Sequence, residues 1–186
     1  MNDPQFSLTP IEVKVENVSQ LFDTMDPFPF SERDLDKDAE EYIVGWAREL
    51  PRHEHISIIV HVPIDELARH NSESVGVAIR RFFDYRVGVI GRDLREMFRI
   101  GRMAALIGLL ALAFCLTANQ VLAGRLRETT FARFLEESLV IVGWVANWKP
   151  IEIFLYDWWP LVRRRNLYRR LAQATIELKP YDDKRT

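Results

Sequence analysis

The longest uncharged stretch of the chain constrains its fold more than any other feature. It extends over 22 residues, from Met103 to Gly124, and contains no charged side chain. At a rise of about 1.5 Å per residue, a helix of this length measures about 33 Å, enough to cross a hydrocarbon layer about 30 Å thick. The stretch therefore predicts a transmembrane helix, and the rest of the chain is interpreted relative to it.

A second apolar block, residues 139–161, is interrupted by charges. It ends in the aromatic residues typical of a membrane interface, namely Tyr156, Trp158 and Trp159. Lys149 lies near its centre, directly before Pro150, and Glu152 is placed to neutralise it three residues later. Three structures fit this pattern. The block is a kinked span whose intramembrane pair faces a bundle interior, a re-entrant segment that turns at Lys149–Pro150, or an interfacial helix that does not cross.

The distribution of arginine favours a second crossing. Arginine occurs seven times in residues 80–102 and five times in 163–170, but three times in the connection 125–137. Basic residues accumulate on the cytoplasmic side of membrane spans. Two spans would therefore leave both basic segments, and both chain termini, in the cytoplasm.

Four of these arginines form one stripe just before the first span, at spacings of 3, 4 and 3 residues: Arg92, Arg95, Arg99 and Arg102. Such a stripe attracts anionic headgroups by about 1 kcal/mol per residue, which makes membrane lipid an expected partner. The simpler interpretation is the positive-inside signal alone, without a specific lipid. Because no aromatic side chains for base stacking are interleaved on this face, we expect no nucleic-acid partner.

Small residues recur along one side of the first span, at Ala104, Gly108, Ala111, Cys115 and Ala118. Their spacing of 4, 3, 4 and 3 leaves a shallow seam on the helix, and another helix can approach closely there. The opposite side carries leucine and phenylalanine, which suit lipid. The pattern predicts a helix-packing seam, used between copies of the chain or with a larger membrane partner.

The two ends of the chain predict a small α+β domain. Strict alternation over 11–16, a β-branched run over 55–62 and a second alternation over 174–179 predict three strands of a mixed sheet, with 55–62 at its centre. Asp36 is placed to cap an amphipathic helix that ends before Pro51, and Ser72 to cap a long helix that continues into the membrane. The predicted fold is a membrane α-helical hairpin of two transmembrane helices, spans 103–124 and 139–161, inserted in this cytoplasmic domain, residues 1–100 plus 162–186.

Some of these residues resemble a family of uncharacterised bacterial two-span inner-membrane proteins. The similarity lies in the run from Phe22 to Asp36 with its Asp26-Pro27-Phe28-Pro29-Phe30 core, in residues 39–47, and in the segment from Tyr156 to Pro160. The resemblance implies a bacterial inner-membrane location and no activity. The loop between Asp23 and Asp36 is the expected contact with a protein partner, through Asp23, Asp26, Phe28, Phe30, Arg33 and Asp34.

The sequence contains no arrangement of residues that predicts catalysis. It has no glycine-rich phosphate loop, no nucleophile elbow and no His-Glu-x-x-His motif, so we expect no enzyme activity, cofactor, metal site or small-molecule substrate. The leading hypothesis is a membrane protein that self-assembles or binds a membrane partner through its spans and presents a cytoplasmic interaction domain. The alternative is an oligomeric channel or transport component in which Lys149 and Glu152 line a path.

Overall fold

The computed structural model of the protein describes residues 10–23, 33–51, 53–125 and 130–181. Its elements in chain order are β1 (Ile11–Lys14), a 3-10 turn (Val18–Leu21), α1 (Lys37–Glu49), β2 (Ser57–Pro63), α2 (Ile64–Arg69), α3 (Ser72–Arg125), α4 (Thr130–Ala146), α5 (Trp148–Glu152), a π-helical turn (Ile153–Asp157), α6 (Trp158–Ala172) and β3 (Thr175–Tyr181). The chain divides into two compact units. The first unit is Met1–Ile90 with Arg163–Thr186, and the second unit is Gly91–Val162.

The sheet of the first unit has three strands in the order β1–β2–β3, and both pairings are parallel. The prediction of three strands with 55–62 at the centre is confirmed, but the prediction of a mixed sheet is wrong. Two neighbouring strands can be parallel only if a crossover connection returns the chain to the end of the sheet at which the first strand began. Here α1 makes that return between β1 and β2, and the helices from α2 to α6 make it between β2 and β3.

The two faces of this sheet differ in chemistry. One face carries aligned apolar rows, in which Ile11 pairs with Ile58 and Ile58 with Ile176, and Val13 pairs with Val60 and Val60 with Leu178. All of these side chains are buried. The other face carries the polar residues of the same strands, among them Glu12, Lys14, His61, Glu177 and Lys179. The apolar rows therefore form one side of the core.

Side chains form hydrogen bonds with backbone groups at both edges of the sheet and at the starts of two helices. The hydroxyl of Tyr42 donates to the carbonyl of Glu12 on the outer edge of β1, at 3.1 Å. Asp36 caps α1 as predicted, accepting from the Asp38 and Ala39 amides. The cap of α3 is Asn71, whose Oδ1 accepts from the Glu73 amide, whereas the predicted cap Ser72 accepts from the Leu178 amide of β3. Ser72 thus satisfies an edge-strand donor that would otherwise stay open.

A buried charge cluster ties three helices of the first unit together. Glu40 of α1 is 8% exposed and accepts two bonds of 2.9 Å from Nη2 of Arg86 on α3. The hydroxyl of Tyr168 on α6 donates to the same carboxylate at 2.5 Å. Tyr168 also packs edge-on against Phe83, with ring centroids 5.9 Å apart. The cluster fixes α1, α3 and α6 at one point of the core.

Candidate functional site

In the second unit, α3 packs against the helices that follow it in an antiparallel hairpin. Three close approaches define the pairing. A Cβ on Gly101 would lie 2.9 Å from Ile153, a Cβ on Gly108 would lie 2.8 Å from Asn147, and a Cβ on Gly143 would lie 2.8 Å from Leu112. As the numbers on α3 rise, those on its partner fall. The glycines allow this packing because any larger side chain would meet atoms of the opposite helix.

The small-residue seam of α3 faces this hairpin contact. Gly108 and Cys115 are buried, Cys115 being 5% exposed, and Ala104, Ala111 and Ala118 are half-buried. Cys115 lies beside Gly143, with its Cβ 3.5 Å from the position of a Cβ on that glycine. At Gly108 and Cys115 the seam is therefore occupied by the second helical segment of the same chain.

Asn147, which is not among the predicted site residues, joins the two halves of the hairpin. Its side-chain amide donates to the backbone carbonyl of Gly108 at 3.0 Å and to that of Gly143 at 2.9 Å. One amide group thus bonds the backbones of both helices. The sequence signal that points to Asn147 is an uncharged polar residue inside an apolar block, next to the break at Pro150.

Lys149 forms an ion cluster at the irregular part of the second helical segment. Its ammonium lies 3.1 Å from the carboxylate of Glu152 and 3.7 Å from that of Asp157. The predicted pair with Glu152 is present in the structure, and Asp157 is a further member that i, i+3 spacing does not indicate. The Lys149 side chain is 64% exposed. The cluster therefore lies on the outside of the hairpin and not between its helices.

Large apolar side chains cover the outer surface of the hairpin. Phe114 is 70% exposed and Trp148 is 71% exposed. Further large apolar side chains on both helices are also more than half exposed, among them Leu106, Ile107, Leu110, Ile141, Val145, Leu155 and Tyr156. Two helical stretches, Ser72–Val121 and Glu137–Ala172, are long and apolar enough to cross a membrane, and 17% of each apolar window is buried. A core helix of a soluble protein would bury most of such a window.

The predicted headgroup-facing arginines lie on α3, N-terminal to the apolar stretch. Arg92, Arg95, Arg99 and Arg102 are all exposed. Arg95 donates through Nε to the carbonyl of Gly91, one turn earlier, at 3.3 Å. These side chains present a cationic surface to solvent.

The predicted partner loop falls only partly within the described residues. Asp26, Phe28 and Phe30 lie outside them, whereas Asp23, Arg33 and Asp34 lie inside. The amide of Asp23 donates to the carbonyl of Asp34 at 2.8 Å, beside a bridge between buried Phe22 and Leu35. The two ends of the loop are therefore held together at its base.

The polar face of the sheet contains an open cavity of about 770 Å³. Its walls include Tyr42 and Tyr181, with Lys14 stacked 4.0 Å from the Tyr181 ring centroid. His61 lies in it, 3.5 Å from the carboxylate of Glu12. Among the described residues no group of three or more His, Cys, Asp or Glu side chains is placed to hold a metal ion.

Comparison of the chain with protein-family models, with curated proteins and with solved structures finds no match. The resemblance to two-span bacterial membrane proteins therefore stays a prediction.

Proposed function

We propose that the chain is an integral membrane protein, with the second unit lying in a lipid bilayer as a hairpin of two crossing segments. The observation that carries this proposal is the apolar outer surface of the hairpin, on both of its helices. Contiguous apolar surface of this extent is costly in water, at about 25 cal/mol per Å², and carries no such cost against lipid tails. A bilayer is the environment that matches it.

The packing register supports a shallow position for the ion cluster. Gly101 meets Ile153 and Gly108 meets Asn147, so Lys149 and Glu152 stand opposite the short segment of α3 between Gly101 and Gly108. That segment begins beside Arg102, the last arginine before the apolar stretch. With the arginine stripe at the headgroups, the Lys149 cluster lies near the same boundary, where charged groups reach water.

The spans are proposed to self-assemble or to bind a larger membrane partner. Since the small-residue seam is occupied within the chain, this contact uses the outward faces, which carry Phe114 and Leu110 on α3 and Val145 and Trp148 on the returning segment. Association of helices in lipid depends on side-chain packing, for which these faces are free within the described structure. The first unit then presents its Asp23–Asp36 loop to a protein partner.

The proposed location is a bacterial inner membrane with both termini in the cytoplasm. It is supported by two arginine-rich segments, one before the apolar stretch of α3 and one after the second apolar block, within α6. No reaction is assigned to the protein, which acts by binding.

Cysteine crosslinking in membranes tests the self-assembly. A Phe114→Cys substitution in a Cys115→Ser background puts a thiol on the outward face, whereas native Cys115 provides a matched thiol one residue away that is buried. We expect a crosslinked dimer from Phe114→Cys and none from the native chain. Crosslinking from neither chain, together with a monomeric mass in detergent and no co-purifying protein, would overturn the proposal.

A second candidate function is a component of an oligomeric channel or transporter, because the Lys149 cluster faces outward, where neighbouring copies would enclose it. Copies arranged around an axis would line a path with these charges. Ion flux into liposomes is then expected to change in Lys149→Met and Glu152→Gln variants. Unchanged flux, or no flux above empty liposomes, would remove this candidate.

A further inference from the structure

A basic groove lies between α3 and α6 in the first unit, away from the features used above. It has a volume of about 400 Å³ and is lined by Val77, Arg80, Arg81, Asp84, Arg169, Ala172 and Gln173. Three arginines and one aspartate line the groove, and Arg81 interacts with another group of the chain. The lining residues therefore carry more positive than negative formal charge.

Two of these arginines, one from each wall, have no partner within the part of the chain that the structure describes. The side chains of Arg80 on α3 and Arg169 on α6 form neither a hydrogen bond nor an ion pair there, although Asp84 lines the same groove. Like charges held close together repel each other, and an anion between them removes that repulsion. The arrangement is typical of a site whose counter-charge comes from a ligand.

The position of Arg80 is supported by the backbone of α3. Its Nη1 lies 3.4 Å from the place that a Cβ on Gly76 would occupy, so the guanidinium folds back over the preceding turn. Arg169 lines the same groove from α6. Two guanidinium groups on two walls of one groove suit an anion with several oxygens in different directions, which describes phosphate better than carboxylate.

We infer that this groove binds the phosphate group of an anionic ligand, with Arg80 and Arg169 as the principal contacts. The volume is in the range of small-molecule sites and too small for a folded partner or a peptide strand. A phosphorylated metabolite and a lipid headgroup share this chemistry. The inference does not depend on the membrane proposal, because every lining residue belongs to the first unit.

Titration of the full chain, in non-ionic detergent, with inorganic phosphate and with pyrophosphate tests the site. We expect the ligand to raise the melting temperature of the wild type and calorimetry to give a saturable isotherm. Arg80→Gln with Arg169→Gln should weaken binding by about tenfold or more, because both charge-assisted contacts with the phosphate are lost. Lys37→Gln with Arg48→Gln removes the same charge from exposed positions of α1, outside both the groove and the arginine stripe, and should change affinity by less than about twofold.

Two further variants keep the test independent of folding defects. Asp84→Asn removes the repelling carboxylate and should tighten phosphate binding. Ala172→Phe fills the groove without changing charge and should abolish it. In a second arm the chain is reconstituted in nanodiscs of phosphatidylcholine with or without phosphatidylglycerol. A groove-dependent rise in melting temperature with phosphatidylglycerol, without binding of free phosphate, would identify a lipid headgroup as the source, whereas groove-dependent binding of free phosphate would identify a soluble ligand.

Two results would overturn the inference. One is the absence of saturable binding in both arms. The other is binding that the groove and control variants reduce equally, which indicates general charge attraction.

Discussion

Gly45 and Gly108 both lie inside helices, but their surroundings predict opposite effects of an added methyl group. Nothing lies within 4 Å of a Cβ on Gly45, whereas a Cβ on Gly108 would meet Asn147 at 2.8 Å and the Ala146 carbonyl at 2.9 Å. Gly45→Ala should stabilise the protein by about 0.5–1 kcal/mol through helix propensity. Gly108→Ala should destabilise the hairpin by about 1–3 kcal/mol because a backbone atom must move.

Unfolding in mixed micelles of non-ionic detergent and dodecyl sulfate, followed by circular dichroism, compares these variants. The midpoints of Gly45→Ala and Gly108→Ala should move in opposite directions from the wild type. A stabilised Gly108→Ala variant would show that the two helices do not approach each other at this point.

The Glu40–Arg86 pair predicts a large cost for removing one partner. Arg86→Met leaves the Glu40 carboxylate, whose side chain is 11% exposed, with the Tyr168 hydroxyl as its remaining donor among the described residues. Because the Arg86 side chain is 35% exposed, we expect a loss of about 2–3 kcal/mol in unfolding free energy, below the cost for a fully buried pair.

Chemical unfolding of four variants measures this coupling. The double variant Glu40→Gln with Arg86→Met should lose less stability than the two single changes added together. Arg99→Met removes an exposed arginine from the same helix and should stay within about 0.5 kcal/mol of the wild type. Additive single effects would show that the pair does not couple α1 to α3.

At the residue scale, the sequence predicts contacts between neighbours in the chain, but it does not predict contacts between elements that are distant in the sequence. The pair of Lys149 with Glu152 follows from i, i+3 spacing, and the Asp36 cap follows from its place before a helix. Asn147 and Ser72 take their roles from distant backbone groups, Gly108 and Leu178. No local pattern contains those distances, so spacing alone does not indicate either bond.

At the element scale, β3 provides a matched test of the sheet. Ile176 and Leu178 face the core, each 8% exposed, whereas Glu177 and Lys179 alternate with them on the polar face. The double change of Ile176 and Leu178 to Ala should destabilise the first unit by about 4 kcal/mol or more. The same double change at Glu177 and Lys179 should cost less than about 1 kcal/mol, because their 3.8 Å ion pair is exposed.

Thermal unfolding by circular dichroism compares these two double variants with the wild type. Equal melting temperatures for both would contradict the position of β3 beside β2. A truncation after Arg170 that melts like the wild type would contradict it independently, since that chain lacks β3 altogether.

The strands themselves were predictable, but their direction was not. Alternation identified β1 and β3 because one face of each is buried, and it carries no information about the direction of the neighbouring strand. Direction depends on the connections, and the connection from β2 to β3 passes through α3 and α6. The sequence indicates a kink or a turn at Lys149–Pro150 among its alternatives, whereas the helix breaks at Asn147 and in the π-helical turn from Ile153 to Asp157.

At the scale of the whole molecule, the sheet restricts how the chain can cross a membrane. β2 precedes the apolar helices and β3 follows them, yet the two strands pair over seven residues, from Ser57 with Thr175 to Pro63 with Tyr181. Strands bonded in one sheet lie on one side of a bilayer. The number of crossings between Pro63 and Thr175 is therefore even, so that if α3 crosses, the second apolar segment must cross back.

Cysteine accessibility tests this restriction directly. In a Cys115→Ser background, single cysteines replace Glu73 before the hairpin, Arg125 at its connection and Glu177 after it. In intact bacterial cells, a membrane-impermeant maleimide should label the cysteine at position 125 alone. Cell lysis should expose the other two together, because the start of α3 is bonded to β3 through Ser72 and the Leu178 amide. Labelling of positions 73 and 177 on opposite sides would contradict the sheet, and labelling of all three on the same side would contradict the crossing hairpin.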